Sequence, residues 1–283
     1  MTHAFAPGHV TGLFAVHDHA DPLKKGSRGA GWSLQKGAWA TVGDGNGITI
    51  NGKPSPAPVT ATALRHLGVT CQVDIQLDLP TGQGFGMSAA GTLAACLAAT
   101  SHFDLEPELA LEAAHTAEVQ HGTGLGDAIG SWFGSGELRI KPGCPPHGWA
   151  MNLPAKGEFL FCTLGEGIPT ENIITNPHWQ TETRRWGDAA VDRILEAGRD
   201  KGWETTLRES AAFTDKLGLL TPQMRELGTH FDHWGQCMLG NTLWVWGAPG
   251  DLERAEALLE AHGETFRCGV DPNGARLVRS VPK

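Results

Sequence analysis

The clearest periodic signal in the chain is "CQVDIQLDL", residues 71–79. Cys71, Val73, Ile75, Leu77 and Leu79 alternate there with Gln72, Asp74, Gln76 and Asp78. Alternation of period two predicts a half-buried strand, most naturally an antiparallel one, because successive side chains point to opposite faces. Pro80 and the glycines after it end the strand. The period then changes: residues 88–101 are rich in Ala and Leu and nearly apolar all round, which predicts a buried helix. Pro107, with its φ preset for a first turn, opens a second helix running to about His121. Upstream, short apolar runs predict strands around Ala4 and at 13–16, 38–42 and 48–50, then a helix over 58–66. After Gly130, "ELRIK" and "EFLFCTL" (158–164) read as strands, and residues 186–233 carry helical periodicity in three segments. "TLWVWG" is a further strand, and "DLERAEALLEAHG" a helix capped by Asp251 and stopped by Gly263. "TFRCGV" and "ARLVRS" are expected to pair as a hairpin across "DPNG". Helices bunch between strands without regular βαβ alternation, so the expected class is α+β. A length of 283 residues suggests two domains, here 1–155 and 156–283, divided in "NLPAKGE".

Charge narrows the functional classes. The net charge of −9 argues against a broad basic surface, so nucleic acid is not an expected partner. The longest stretch without charge or strong polarity, residues 89–99, is far short of the roughly 20 residues a bilayer requires. The opening "MTHAFAPGHVTG" has no basic segment and carries Pro7 and Gly8 where a secretion signal would be apolar. The reading is a cytoplasmic protein with no membrane association. Its six cysteines (71, 96, 144, 162, 237 and 268) are widely spaced without a C-x-x-C pair, which favours buried free thiols.

Two stretches carry candidate chemistry. In "LPTGQGFGMSAAG", Gly82, Gly84 and Gly86 precede a helix, and a glycine-dense turn leading into a helix N-terminus presents N–H groups to phosphate. The G-x-G-x-G spacing, the alternating strand before it and the lack of a following lysine fit neither a dinucleotide fingerprint nor a P-loop. Ser88 either caps the helix or turns its hydroxyl toward Mg²⁺ and phosphate. In "HTAEVQHGTGLGDAIG", residues 115–130, His115 and Glu118 share a helix face, and Asp127 follows a glycine-broken turn. Two carboxylates serving one pocket suit phosphoryl transfer, one holding Mg²⁺ and the other accepting a hydroxyl proton. Alternatively, Glu118 is a solvated helix residue and Asp127 a cap. "HDHAD" and "HFDH" have metal-like spacing but no third ligand nearby in sequence.

Three stretches together resemble a family. "PTGQGFGMSAAG" is similar to the phosphate loop of the GHMP-type small-molecule kinases, which include galactokinase, homoserine kinase and mevalonate kinase. "AEVQHGTGLGDAIG" and "AFAPGHVTGLF" resemble that family's other N-terminal motifs, in the family's order. "WGQCMLGNTLWVWG" resembles its third motif without the run of adjacent glycines. "DPLKKGSRGAGWSL" and "CMLGNTLW" look like the archaeal pantoate kinase branch. The resemblance implies a two-domain α+β kinase. Its N-terminal domain would be of the type seen in the second domain of a ribosomal protein, its C-terminal domain would be ferredoxin-like, and the active site would lie between them. It further implies that ATP is held by Gly82, Gly84, Gly86, Ser88 and Glu118, that Ser88 and Glu118 bind Mg²⁺, and that Asp127 is the base. Ser27, His115, Arg139 and Thr170 would hold pantoate as the small-molecule substrate. Taken alone, Arg139 could be a strand residue facing water, His115 a satisfied core histidine, Thr170 a helix cap and Ser27 part of an ordinary charged loop. A homodimer is compatible with all of this. Kinases of homoserine, mevalonate or shikimate, and a ligand sensor on the same fold, are the alternatives; an intact Ser88, Glu118 and Asp127 favours an enzyme.

Overall fold

The computed structural model describes residues 1–166 and 176–282. Its first half is built on two long antiparallel strands, β1 (Thr2–His17) and β2 (Gly26–Gly43). Sequence periodicity gives these as short separate pieces. They are continuous because the buried positions of β1 run unbroken from Ala4 to Val10, which erases the alternation expected of a one-sided strand. Next come β3 (Gly47–Ile50), β4 (Lys53–Pro54), α1 (Pro58–His66) and β5 (Gln72–Leu77). In β5, Val73 and Ile75 are buried and Asp74 and Gln76 exposed, as the alternation predicts. It pairs antiparallel with β2, but parallel with β3. Helices α2 (Met87–His102), α3 (Glu108–His121) and α4 (Asp127–Phe133) follow, then β6 (Gly136–Lys141) and β7 (Trp149–Leu153). The expected all-round burial of α2 holds from Ala89 to Thr100.

The second half contributes β8 (Glu158–Thr163), α5 (Pro177–Lys216), α6 (Pro222–Gly228), β9 (Trp234–Gln236), β10 (Thr242–Gly247), α7 (Pro249–Leu259), β11 (Glu264–Gly269) and β12 (Arg276–Val278). Helix α5 is interrupted at Gly198, whose φ of 69° lies outside the helical region, so its two parts and α6 match the three expected helical segments. Asp251 serves α7 from inside its first turn, accepting the Ala248 N–H at 3.2 Å, and the helix ends at Leu259, before Gly263.

Among the described residues the strands form two sheets. One has eight strands, in the order β12-β1-β2-β5-β3-β4 with β6 and β7 added beside β2; the other has four, in the order β11-β8-β10-β9. The class is α+β. The expected hairpin of β11 and β12 does not form: β11 pairs with β8, whereas β12 pairs with β1 in the other sheet. The Asp271 carboxylate explains the divergence. It accepts the N–H groups of Asn273 and Gly274 at 2.9 Å and pairs with Arg276, while its backbone bonds Ser33 and Ser135 of the first sheet. The turn signal in "DPNG" is genuine, but it redirects the chain instead of folding it back on itself.

The sheets meet through aromatic side chains. Trp32 of β2 stacks on Phe159 of β8 at 4.9 Å, with Trp203 and Trp244 set edge-on at 5.7 and 5.4 Å. Among the described residues no helix is long and apolar enough to cross a membrane. All six cysteines are free and buried.

Candidate active site

A cleft of about 130 Å³ opens between the glycine loop and the turn that joins β9 to β10. The glycine loop forms one wall. Gly82, Gly84 and Gly86 have φ values of 75°, 82° and 60°, a region that side chains disfavour, so three glycines are what this path requires. The loop is clamped from the second half of the chain: the Gln83 side chain donates to the Gly165 carbonyl at 2.8 Å and accepts from the Asn241 N–H at 3.2 Å. The motif lacking adjacent glycines therefore braces the glycine loop. Gly86 precedes α2 without a side-chain cap, which leaves first-turn N–H groups and the positive end of the helix dipole at the cleft. Ser88 is not a cap; its hydroxyl donates to Glu118 Oε1 at 2.6 Å.

Glu118 and Asp127 converge across Gly124: a Cβ there would lie 2.6 Å from Glu118 Oε2 and 3.4 Å from Asp127 Oδ2. The two carboxyls differ in electrostatics. Burial, with the nearby charge of Asp127, pushes Glu118 up to about 7 against the opposing bond from Ser88. Burial would raise Asp127 as well, but the hydrogen bond and charge of His9, helped by Arg139 and Thr11, outweigh it and hold the carboxyl below its ordinary value. Asp127 is thus an ionised acceptor whose side chain remains 24% exposed.

His9 was not among the residues expected to act. Its Nδ1 donates to Asp127 Oδ1 at 2.8 Å and its Nε2 to Glu137 Oε2 at 2.9 Å. Burial disfavours the charged ring, but Glu137 and Asp127 together raise it to about 9, so it is an imidazolium at neutral pH. Glu137 pairs in turn with Arg139. The result is a buried chain of alternating charge, Asp127–His9–Glu137–Arg139, with the Thr11 hydroxyl donating to Asp127 at 2.9 Å. Gly130 in α4 makes room for it, since a Cβ at that position would come within 2.3 Å of His9 Nε2. One signal for this chain was present in sequence: Glu137 and Arg139, of opposite charge, share a face of β6. His9 carried none, because its partners lie more than a hundred residues away.

The residues implied for substrate divide. Ser27 and Arg139 line the cleft. Arg139 is fully buried and pairs with Glu137, and its Nε has no hydrogen-bond partner among the described residues. His115 is not in the cleft wall. It is buried, donates Nε2–H to the Lys25 carbonyl at 2.9 Å, and burial lowers its pKa. It therefore pins the segment leading to Ser27, as a satisfied core histidine would. Thr170 lies outside the described residues.

Ser88 and Glu118 fit a magnesium ion bound together with phosphates. A buried carboxyl pushed toward neutrality and met by one hydroxyl is the donor set that a hard cation would complete. Among the described residues no group of three or more His, Cys, Asp or Glu is placed to hold a metal, and magnesium bound through substrate phosphates requires none.

Uncapped N–H groups at the start of α2 and an ionised carboxylate share this cleft, an arrangement that suits a kinase of small hydroxyl compounds. Residues 58–135 match the GHMP kinases N-terminal domain. The chain is 31% identical to the pantoate kinase of Thermococcus kodakarensis, over 92% of both chains, and 29% identical to that of Methanocaldococcus jannaschii, over 90% of this chain and 96% of the other. A solved structure described as a phosphotransferase related to the CoA biosynthesis pathway superposes with a TM-score of 0.86 at 29% identity, covering 99% of each chain. The chain belongs to the GHMP kinase family.

Proposed function

We propose that this protein phosphorylates pantoate on its terminal hydroxyl, with Mg²⁺–ATP as phosphoryl donor, on a route to coenzyme A. The observation that carries the reading is the guanidinium of Arg139, set in the same cleft as the ionised Asp127. That pair suits an acceptor with a carboxylate at one end and a hydroxyl at the other, and full-length similarity to pantoate kinases supports the choice among such acceptors. Buried free cysteines agree with a cytoplasmic setting.

The chain's own groups then have distinct tasks. Backbone N–H groups of the glycine loop and the first turn of α2 bind the phosphates. Ser88 and Glu118 hold Mg²⁺, which supplies neutralisation of charge on the transferring phosphoryl group. Arg139 and Ser27 fix the acid end of the acceptor, and this places its far hydroxyl near Asp127. As the acceptor oxygen bonds to the γ-phosphorus and the bond to the bridging oxygen of ADP breaks, the hydroxyl proton passes to Asp127. His9 keeps Asp127 ionised and aimed. The division 1–155 and 156–283 is the domain arrangement that goes with this reading.

An ADP-release assay across pantoate, homoserine, mevalonate and shikimate tests the acceptor, and turnover of any of the others in preference to pantoate would refute it. In the same assay Asp127→Asn, close to isosteric, is expected to lower kcat by about 10²–10⁴-fold while calorimetric ATP binding changes little. Near-normal turnover would reduce Asp127 to a structural residue, and lost ATP binding would move it to the metal.

A further inference from the structure

The cleft has an apolar wall beside its polar groups. Phe14, Leu125, Met238 and Leu239 line it beside Arg139 and Ser27, and the four belong to one packed apolar cluster. Phe14 comes from β1 and Leu125 from the segment between α3 and α4. Met238 and Leu239 belong to the turn between β9 and β10. That turn is closed by the Gly240 N–H donating to the Cys237 carbonyl at 2.9 Å, and its third residue, Leu239, has a φ of 65°. A positive φ at this place in a four-residue turn is ordinarily filled by glycine, so a leucine there costs backbone energy.

The neighbours enforce the conformation. The Met238 N–H donates to the Thr11 carbonyl at 3.2 Å, and the Gln236 side chain donates to the Gly240 carbonyl at 2.8 Å. Thr11 is also the residue whose hydroxyl holds Asp127. The turn is therefore tied to the strand that holds Asp127 through Thr11, and a strained, nearly buried leucine lines the same cleft as Arg139 and Asp127. Strain maintained by surrounding contacts at a cleft points to a function for the side chain that bears it.

We infer that Leu239, backed by Phe14, Leu125 and Met238, selects acceptors with a branched alkyl centre beside the phosphorylated carbon and disfavours linear hydroxy acids. The inference rests on pantoate being the acceptor: its two methyl groups sit on the carbon between the terminal CH₂OH and the hydroxy acid end. With the acid at Arg139 and the hydroxyl at Asp127, those methyls are the part of the molecule left for the apolar wall to read.

The test compares kcat/KM for pantoate and for 2,4-dihydroxybutanoate, which has the same chain without the methyls. The wild-type protein is expected to prefer pantoate by at least about tenfold, since a single methylene in an apolar pocket is worth roughly 10–200-fold. Leu239→Gly, which suits the turn, is expected to erase most of that preference through a raised pantoate KM, with the calorimetric ATP Kd within about twofold of wild type. Leu239→Ala should lose the preference equally but melt at a lower temperature than the glycine variant, because alanine keeps the strained φ. A preference that survives in both variants would overturn the inference, as would a loss of ATP binding, which would put Leu239 on the phosphate side. A wild-type protein that turns over another acceptor but not pantoate would overturn the assigned substrate, and this inference with it.

Discussion

Replacing His9 by asparagine tests whether the imidazolium between Asp127 and Glu137 holds Asp127, the proposed base. Asparagine can still donate where Nδ1 meets Asp127, but it removes the positive charge and the contact with Glu137. The fold raises His9 from 6.5 to about 9, an interval equivalent to roughly 3 kcal/mol. Because the folded value is the higher one, this stabilisation is fully present below pH 6.5 and is lost as pH rises through 9. Urea unfolding of both proteins from pH 6 to pH 10 should therefore show a gap that is widest at the acid end, of about 3–5 kcal/mol for a broken buried pair, and that narrows by roughly 3 kcal/mol toward pH 10. Turnover gives a second measurement. His9 is the main influence lowering Asp127, so the acid limb of the kcat profile should move up by about 1–3 pH units in the variant. A stability gap that stays constant from pH 6 to 10 would show that His9 is neutral in the fold. An acid limb that does not move would separate His9 from the base.

Ser88→Ala should weaken Mg²⁺–ATP binding by calorimetry while lowering stability by only about 1 kcal/mol, since the lost hydroxyl makes one bond and caps nothing; full activity in the folded fraction would make Ser88 structural. Arg139→Lys keeps the charge but loses the planar fork, so pantoate KM should rise about 10–100-fold with nucleotide affinity little changed. Unaltered pantoate kinetics would remove Arg139 from the site.

Local patterns in this chain are legible where one physical cause dominates. Residues 72–77 alternate because one face of β5 is buried, and Pro58 marks the start of α1 because its φ suits a first turn. The glycine loop was readable because positive φ values at Gly82, Gly84 and Gly86 leave few alternatives. What stayed hidden depends on distant partners. Burial along β1 and β2 comes from helices and a second sheet, so neither strand announces its length. The destination of β12 is set by Asp271 reaching residues of the other sheet, which no turn propensity encodes. His9 and Glu137 acquire their roles only when β1, α4 and β6 are brought together, and His115 proved to serve the segment at Lys25 instead of facing the cleft.

The pairing of β12 with β1 also bears on how the protein is made. His3 lies opposite Val278, and Phe5 opposite Arg276, whose guanidinium covers the Phe5 ring at 4.7 Å. Synthesis delivers β1 more than two hundred residues before its outer neighbour. Until β12 has been made the nascent first sheet presents β1 as a bare edge, the kind of surface on which strands of other chains add. The half that carries the glycine loop therefore cannot complete its sheet until residues 276–278 have been made, and a chain interrupted shortly before residue 276 would leave that edge open. Aggregation of truncated products, more than loss of any catalytic group, is the failure this topology sets up.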